Sequence, residues 1–185
     1  MRNQTLAIRG LVASLFSLFL AACNDTTPPP SAIEQLADEY LEAWMEEDAL
    51  MGTYYAIEGA RHDRLPDNSR VGLAAWQGKE DAWLARLARI PAPSEIGSRD
   101  WVTYGLLKEQ LESAASTRIC RDELWAASTT TSWHTWIPFV FDIQPLETPD
   151  LRAQALSRLA AMPAFIENEI DNLREGLRLG YSAPR

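Results

Sequence analysis

Histidine and cysteine are scarce: the 185 residues hold two of each. A helical zinc hydrolase displays His-Glu-x-x-His, because i, i+4 spacing puts both imidazoles on one side of the metal. His62 is followed by Asp63-Arg64-Leu65-Pro66 and His134 by Thr135-Trp136-Ile137-Pro138, so neither begins that motif. His62, in a polar Arg-His-Asp-Arg run, is expected at the surface. His134, among tryptophans, is expected to be packed and hydrogen-bonded. The Gly-x-Ser-x-Gly elbow of serine hydrolases is missing, as are a Gly-rich phosphate loop, an internal repeat and any useful length of strand alternation. Carboxylates abound, but no pair stands out as acid and base. A metal-free hydrolase would have to use acids such as Asp63 or Glu80. The chain is therefore expected to carry no catalytic residue, no metal ligand and no cofactor site of its own.

Positive charge is also in short supply: 17 Lys and Arg face 26 Asp and Glu. Two of the basic residues, Arg2 and Arg9, fall in the leader, which leaves 15 against 26 and a formal charge of −11 beyond it. That balance argues against nucleic acid and against a polybasic membrane surface as partners. The longest apolar run, Leu11 to Leu20, is about half of what a spanning helix needs.

That run nonetheless has a purpose. Arg2 and Arg9 form a positive n-region, Leu11 to Leu20 an apolar h-region, and Ala21-Ala22 a small-residue cleavage context before Cys23. Leu20-Ala21-Ala22-Cys23 reads as a bacterial lipobox. Residues 1–22 are then a lipoprotein signal peptide, and the Cys23 thiol accepts a diacylglyceryl group. Cleavage comes next, and then acylation of the new amine with palmitate-like chains. More than one acyl chain makes a stable anchor where one is marginal. The expected location is the periplasmic face of a membrane, and Asn24 after the cysteine leans toward the outer one. With Cys23 acylated, Cys120 has no partner in the chain and is expected to be a buried, inert thiol. Residues 23–31, with Pro28-Pro29-Pro30, form the acylated terminus and an extended tether.

Residues 32–185 are expected to form one all-α domain, an array of about five helices. The first runs from about Ser31 to Ala49, with Ile33, Leu36, Tyr40 and Trp44 along one stripe. Its closing acids Glu46, Glu47 and Asp48 could hold a cation but read better as a solvated face. The second starts at an N-cap near Ser69 and stops before Pro91. The third starts after Ser98 and reaches about Trp125. Ala126 to Glu147 reads as an irregular aromatic segment, packed on the core or facing a partner. Thr148-Pro149-Asp150 is a strong start signal for a helix that Pro163 should break or kink, and Gly180 should end the last helical stretch. The expected stripes are Leu151, Ala155, Leu159 and Met162, then Ile166, Ile170, Leu173 and Leu177.

Several segments resemble one family. His62-Asp63-Arg64-Leu65-Pro66-Asp67-Asn68-Ser69 is similar to the DDRLPDLS segment near the N-terminus of DUF885 proteins. Tyr40-Leu41-Glu42-Ala43-Trp44 falls where that family has its first helix. Ser98 to Tyr104 resembles its S-x-x-D-R-x-D-Y helix start. Met162-Pro163-Ala164-Phe165-Ile166, Asn172 to Leu177, and the closing Gly-x-x-x-Pro-Arg of Gly180 to Arg185 complete the set in the same order. The resemblance covers about Ala32 to Arg185. It implies a mostly helical, exported bacterial lipoprotein related to gluzincin-type zinc peptidases. Longer members of that family carry the zinc motif in a C-terminal half, and their N-terminal helices wall a substrate channel. The function implied here is that wall, without catalysis of its own, partnered by a catalytic C-terminal half or a peptide substrate. A free-standing periplasmic helical lipoprotein that binds a protein or peptide is the alternative.

Overall fold

The computed structural model describes residues 29–182 apart from 126 and 131. The leader, the Cys23 acylation site and most of the tether lie outside the described residues. Among those described there are six α-helices and no strand: α1 (Ala32–Glu47), α2 (Ala49–Tyr54), α3 (Arg70–Leu87), α4 (Arg99–Thr117), α5 (Trp133–Ile143) and α6 (Pro149–Leu179). Two single 3-10 turns, Arg118–Cys120 and Asp122–Leu124, follow α4. The protein is all-α.

Side-chain caps fix most of the starts. Ser31 and Glu34 form a reciprocal capping box on α1, and Ser69, Ser98 and Thr148 each accept the backbone N–H three residues on. The first helix ends close to its expected limit, at Asp48, which also caps a short helix not expected from the sequence, α2, through Met51 N–H. The expected third helix stops at Thr117, short of Trp125. There the Ser116 and Thr117 hydroxyls bond back to the Ser113 and Ala114 carbonyls, and Arg121 takes a left-handed φ of 49° between the 3-10 turns.

The proline-bearing stretches correct two expectations. The aromatic segment is not irregular throughout, since residues 133–143 form α5 with Pro138 inside it. Pro163 does not break α6, which continues for 31 residues. In both helices the proline is on the solvent side, so the carbonyl it deprives of a donor can be hydrated. Side chains buried before and after Pro163, Arg158 and Phe165, hold both halves of α6 to the same neighbours. Gly180 ends α6 at φ 86°, with Tyr181 N–H donating to Gly176 O and Gly180 N–H to Leu177 O.

Two apolar clusters form the core. Ile33 and Leu36 of α1 meet Trp83 and Leu87 of α3 and Leu107 and Leu111 of α4, with Tyr40 and Trp76 stacked around Trp83. Leu50 of α2 meets Ile137 and Val140 of α5 and Phe165 of α6 in the second. Each fully buried aliphatic side chain contributes about 1.5–3 kcal/mol. Among the described residues no helix is long and apolar enough to cross a membrane.

Candidate functional site

Arg158 stands at the middle of the α6 inner face with none of its surface exposed. Its Nε donates to Arg64 O (2.9 Å), Nη1 to Thr53 Oγ1 (3.0 Å) and Gln144 Oε1 (2.8 Å), and Nη2 to Ala49 O (3.1 Å) and Arg61 O (3.4 Å). No carboxylate is among these acceptors. Burial holds the guanidinium pKa down to about 10, against the pull of Asp63 and Asp48, so it stays charged near neutral pH. One side chain thus ties α2, the 55–69 loop and the end of α5 to α6.

His62 belongs to the same network and corrects the expectation for it. It is buried, with Nδ1 2.8 Å from Thr53 Oγ1. Its N–H donates to Gln154 and its carbonyl accepts from Gln144 Nε2. Burial first, and the Arg158 charge second, hold the imidazole below its ordinary pKa, with Asp63 acting the other way. His134 is exposed instead, its ring edge-on to Trp133 at 5.7 Å. Cys120, expected buried, is exposed, because the chain around it is a surface 3-10 turn. A second polar knot joins the loop to α6: Asn68 donates to Phe165 O and Glu169, and Asn172 Nδ2 donates to Asn68 O. Sequence reading missed Arg158, Gln144 and Asn172. A signal was present, since Leu151, Arg158, Phe165 and Asn172 recur every seven residues.

The acids singled out from the sequence serve local roles. Glu46 pairs with Arg64 at 2.7 Å, and Asp63 pairs with Arg61 and Arg64. Burial pushes the carboxyls of Glu47 and Asp48 up, Asp48 being the α2 cap. Buried Glu80 accepts from Trp76 Nε1 (2.9 Å) and pairs with Arg118 (2.9 Å). Among the described residues no group of three or more His, Cys, Asp and Glu side chains could hold a metal ion. His62, locked to Thr53 beside a cationic guanidinium, does not fit a zinc ligand set, and His134 stands apart on α5.

The feature that faces outward is apolar. Tyr54, Tyr55, Trp136 and Phe139 form a ring cluster with centroids 4.8–6.0 Å apart, in which Tyr55 is 60% exposed. On the other flank of α5, Phe141, Leu146, Leu156 and Leu159 line a groove of about 330 Å³. The polar groups in that groove are already engaged: Gln144 by His62 and Arg158, Arg152 by the carbonyls of Leu146 and Glu147. Of the expected α6 stripe, Leu159, Ile170 and Leu177 are exposed, whereas Leu151, Ala155, Met162, Ile166 and Leu173 are half-buried, Met162 against the second cluster. The most deeply buried positions of the helix include polar Arg158 and Asn172.

No curated protein matches the chain. The sequence model of DUF885, described as a bacterial protein of unknown function, matches residues 48–185. That match takes in the 55–69 loop, the polar staple beneath it and both helices of the uncovered side, so the chain belongs to the DUF885 family.

Proposed function

We propose that these helices form the wall of a substrate channel in a membrane-anchored, zinc-peptidase-like protein, and that they carry no catalysis themselves. The observation behind this reading is the uncovered apolar side of α5 and α6. Exposed apolar side chains gathered on neighbouring helices mark a contact surface. Here it includes Phe139, Ile143, Leu146, Leu156, Leu159 and Leu177, all exposed. An apolar helix such as α5, covered on one side only, calls for more protein or a bound chain against it. The staple at Arg158 suits the same role, since it stiffens the loop and helix junctions that a wall needs. Zinc, in this reading, is held by a separate C-terminal part, and Cys23 carries the lipid that anchors the whole to a membrane facing the periplasm.

Mixing the chain with the zinc-binding C-terminal part of a longer family member tests the reading. A stable complex is expected, with peptide hydrolysis that a chelator removes and zinc restores. Failure to form any complex, or hydrolysis by this chain alone that survives chelation, overturns it. Labelled palmitate should enter the intact chain and not the Cys23→Ala variant.

A further inference from the structure

α6 has two long faces. The inner one runs through Leu151, Arg158, Phe165 and Asn172. At about 100° per residue, Leu156, Leu159, Ile170 and Leu177 gather in a second sector about 60° wide. All four are exposed. From Leu156 to Leu177 this seam is about 32 Å long, at about 1.5 Å per residue. Its N-terminal end opens into the groove beside Phe141 and Leu146. Two charges share the sector, Arg152 near one end and Arg174 near the other. Asp171 and Glu175 point away from it by the same helical count, and Glu167 falls at its edge. Arg152 is fixed by the Leu146 and Glu147 carbonyls, which orient the guanidinium without neutralising it. Arg174 reaches Asp171 at 3.3 Å in an exposed pair, which is weak.

We propose that the seam docks a single amphipathic helix of about six turns from another protein chain. That helix has an apolar stripe along its middle and carboxylates at both ends. The proposal rests on reading this side as a contact surface, and it adds the chemistry of what covers it. Length selects a helix, since an apolar seam of this span, with exposed Pro163 between Leu159 and Ile170, matches the i, i+3, i+4 stripe of another helix. Charge selects its ends, because an arginine stands at each end of a seam whose middle carries only Glu167 at its edge, and each arginine calls for an acidic residue on the partner. The groove at the head of the seam takes one large apolar side chain as an anchor. A second copy of this chain suits the seam poorly. The antiparallel register that sets Leu156 against Ile170 also sets Arg152 against Arg174, and a parallel one sets each arginine against itself.

Two synthetic helical peptides with the same leucine stripe provide the test, one with glutamates and the other with lysines at its ends. Each is titrated against the whole chain by fluorescence anisotropy. The acidic peptide should bind at least tenfold more tightly, and the double variant Arg152→Glu, Arg174→Glu should reverse the preference. Leu159→Glu should weaken binding at least tenfold while leaving the far-ultraviolet circular dichroism unchanged, since Leu159 is already 55% exposed. Equal affinity for the two peptides, no binding of either, or indifference to Leu159→Glu overturns the proposal. So does a dimer in sedimentation that Leu159→Glu dissolves, because the seam would then belong to a second copy. If these outcomes fail while the zinc-dependent complex still forms, the contact surface lies elsewhere and the channel-wall reading stands. If no complex forms and the acidic peptide still binds, only the docking seam survives.

Discussion

Arg158 carries a full charge into the interior and meets five neutral oxygens there. Removing it deprives Gln144 Oε1 and the Arg61 and Arg64 carbonyls of their donor, while Thr53 keeps its bonds to Ala49 O and His62, and each buried polar group left unmet costs about 1–3 kcal/mol. Arg158→Met should therefore lose about 3 kcal/mol or more in urea denaturation. Arg158→Lys should recover only part of that, because an ammonium cannot reproduce the planar fork. His62 adds a pH dependence. Its folded pKa is below the unfolded value of about 6.5. The unfolded chain thus binds more protons, and this residue's contribution to stability falls as pH drops below about 6.5. Glu47 and Asp48, whose carboxyls are raised by burial, act in the opposite sense. The His62 contribution is accordingly the difference between wild type and His62→Gln measured across pH 7 to 5, and the variant should show the shallower fall.

Helix α6 shows how packing decides what propensity leaves open. Gly176 sits inside it where a Cβ would come 1.9 Å from Leu124 O, so the helix presses directly on the second 3-10 turn. Gly105 of α4 has nothing within 4 Å of the same position. Gly176→Ala should cost about 1–3 kcal/mol through overpacking, and Gly105→Ala should gain up to about 1 kcal/mol from helix propensity, both read from thermal unfolding. The caps at Ser69, Ser98 and Thr148 were legible in the sequence because a cap is a local contest between side chain and backbone. The continuity of α6 through Pro163 was not, since it depends on the proline facing solvent and on neighbours that grip both sides of it. The same limit hid the α6 inner face. Hydrophobic periodicity places Leu159 and Leu177 in the core, but Arg158 and Asn172 take those positions because their partners come from a loop about a hundred residues earlier. His62 and His134 exchanged expected environments for a related reason: composition of the nearest residues does not say which segment a loop will be stapled to.

The two core clusters differ in how completely they are enclosed. The α1, α3 and α4 cluster is closed by three long helices and by the Tyr40, Trp76 and Trp83 rings. The α2, α5 and α6 cluster is closed on one side only, with Tyr55, Phe139 and Ile143 left outside. α5 is the shortest helix there apart from α2, and Pro138 removes one of its few hydrogen bonds. Local opening tracks such differences, because a segment with fewer buried contacts and more exposed backbone bonds opens at lower free energy than the whole molecule. In native-state hydrogen exchange, the amides of 139–143 should exchange well before those of 80–87 and 104–111. A helix seated along α6, or a zinc-binding catalytic part, would cover the open side. Protection should then rise in α5 and along Leu156 to Leu177 and stay unchanged in α3 and α4. Uniform protection across both clusters in the isolated chain would mean that α5 is held as firmly as the rest. The exposed apolar side would then be a finished surface of the molecule rather than one completed by contact.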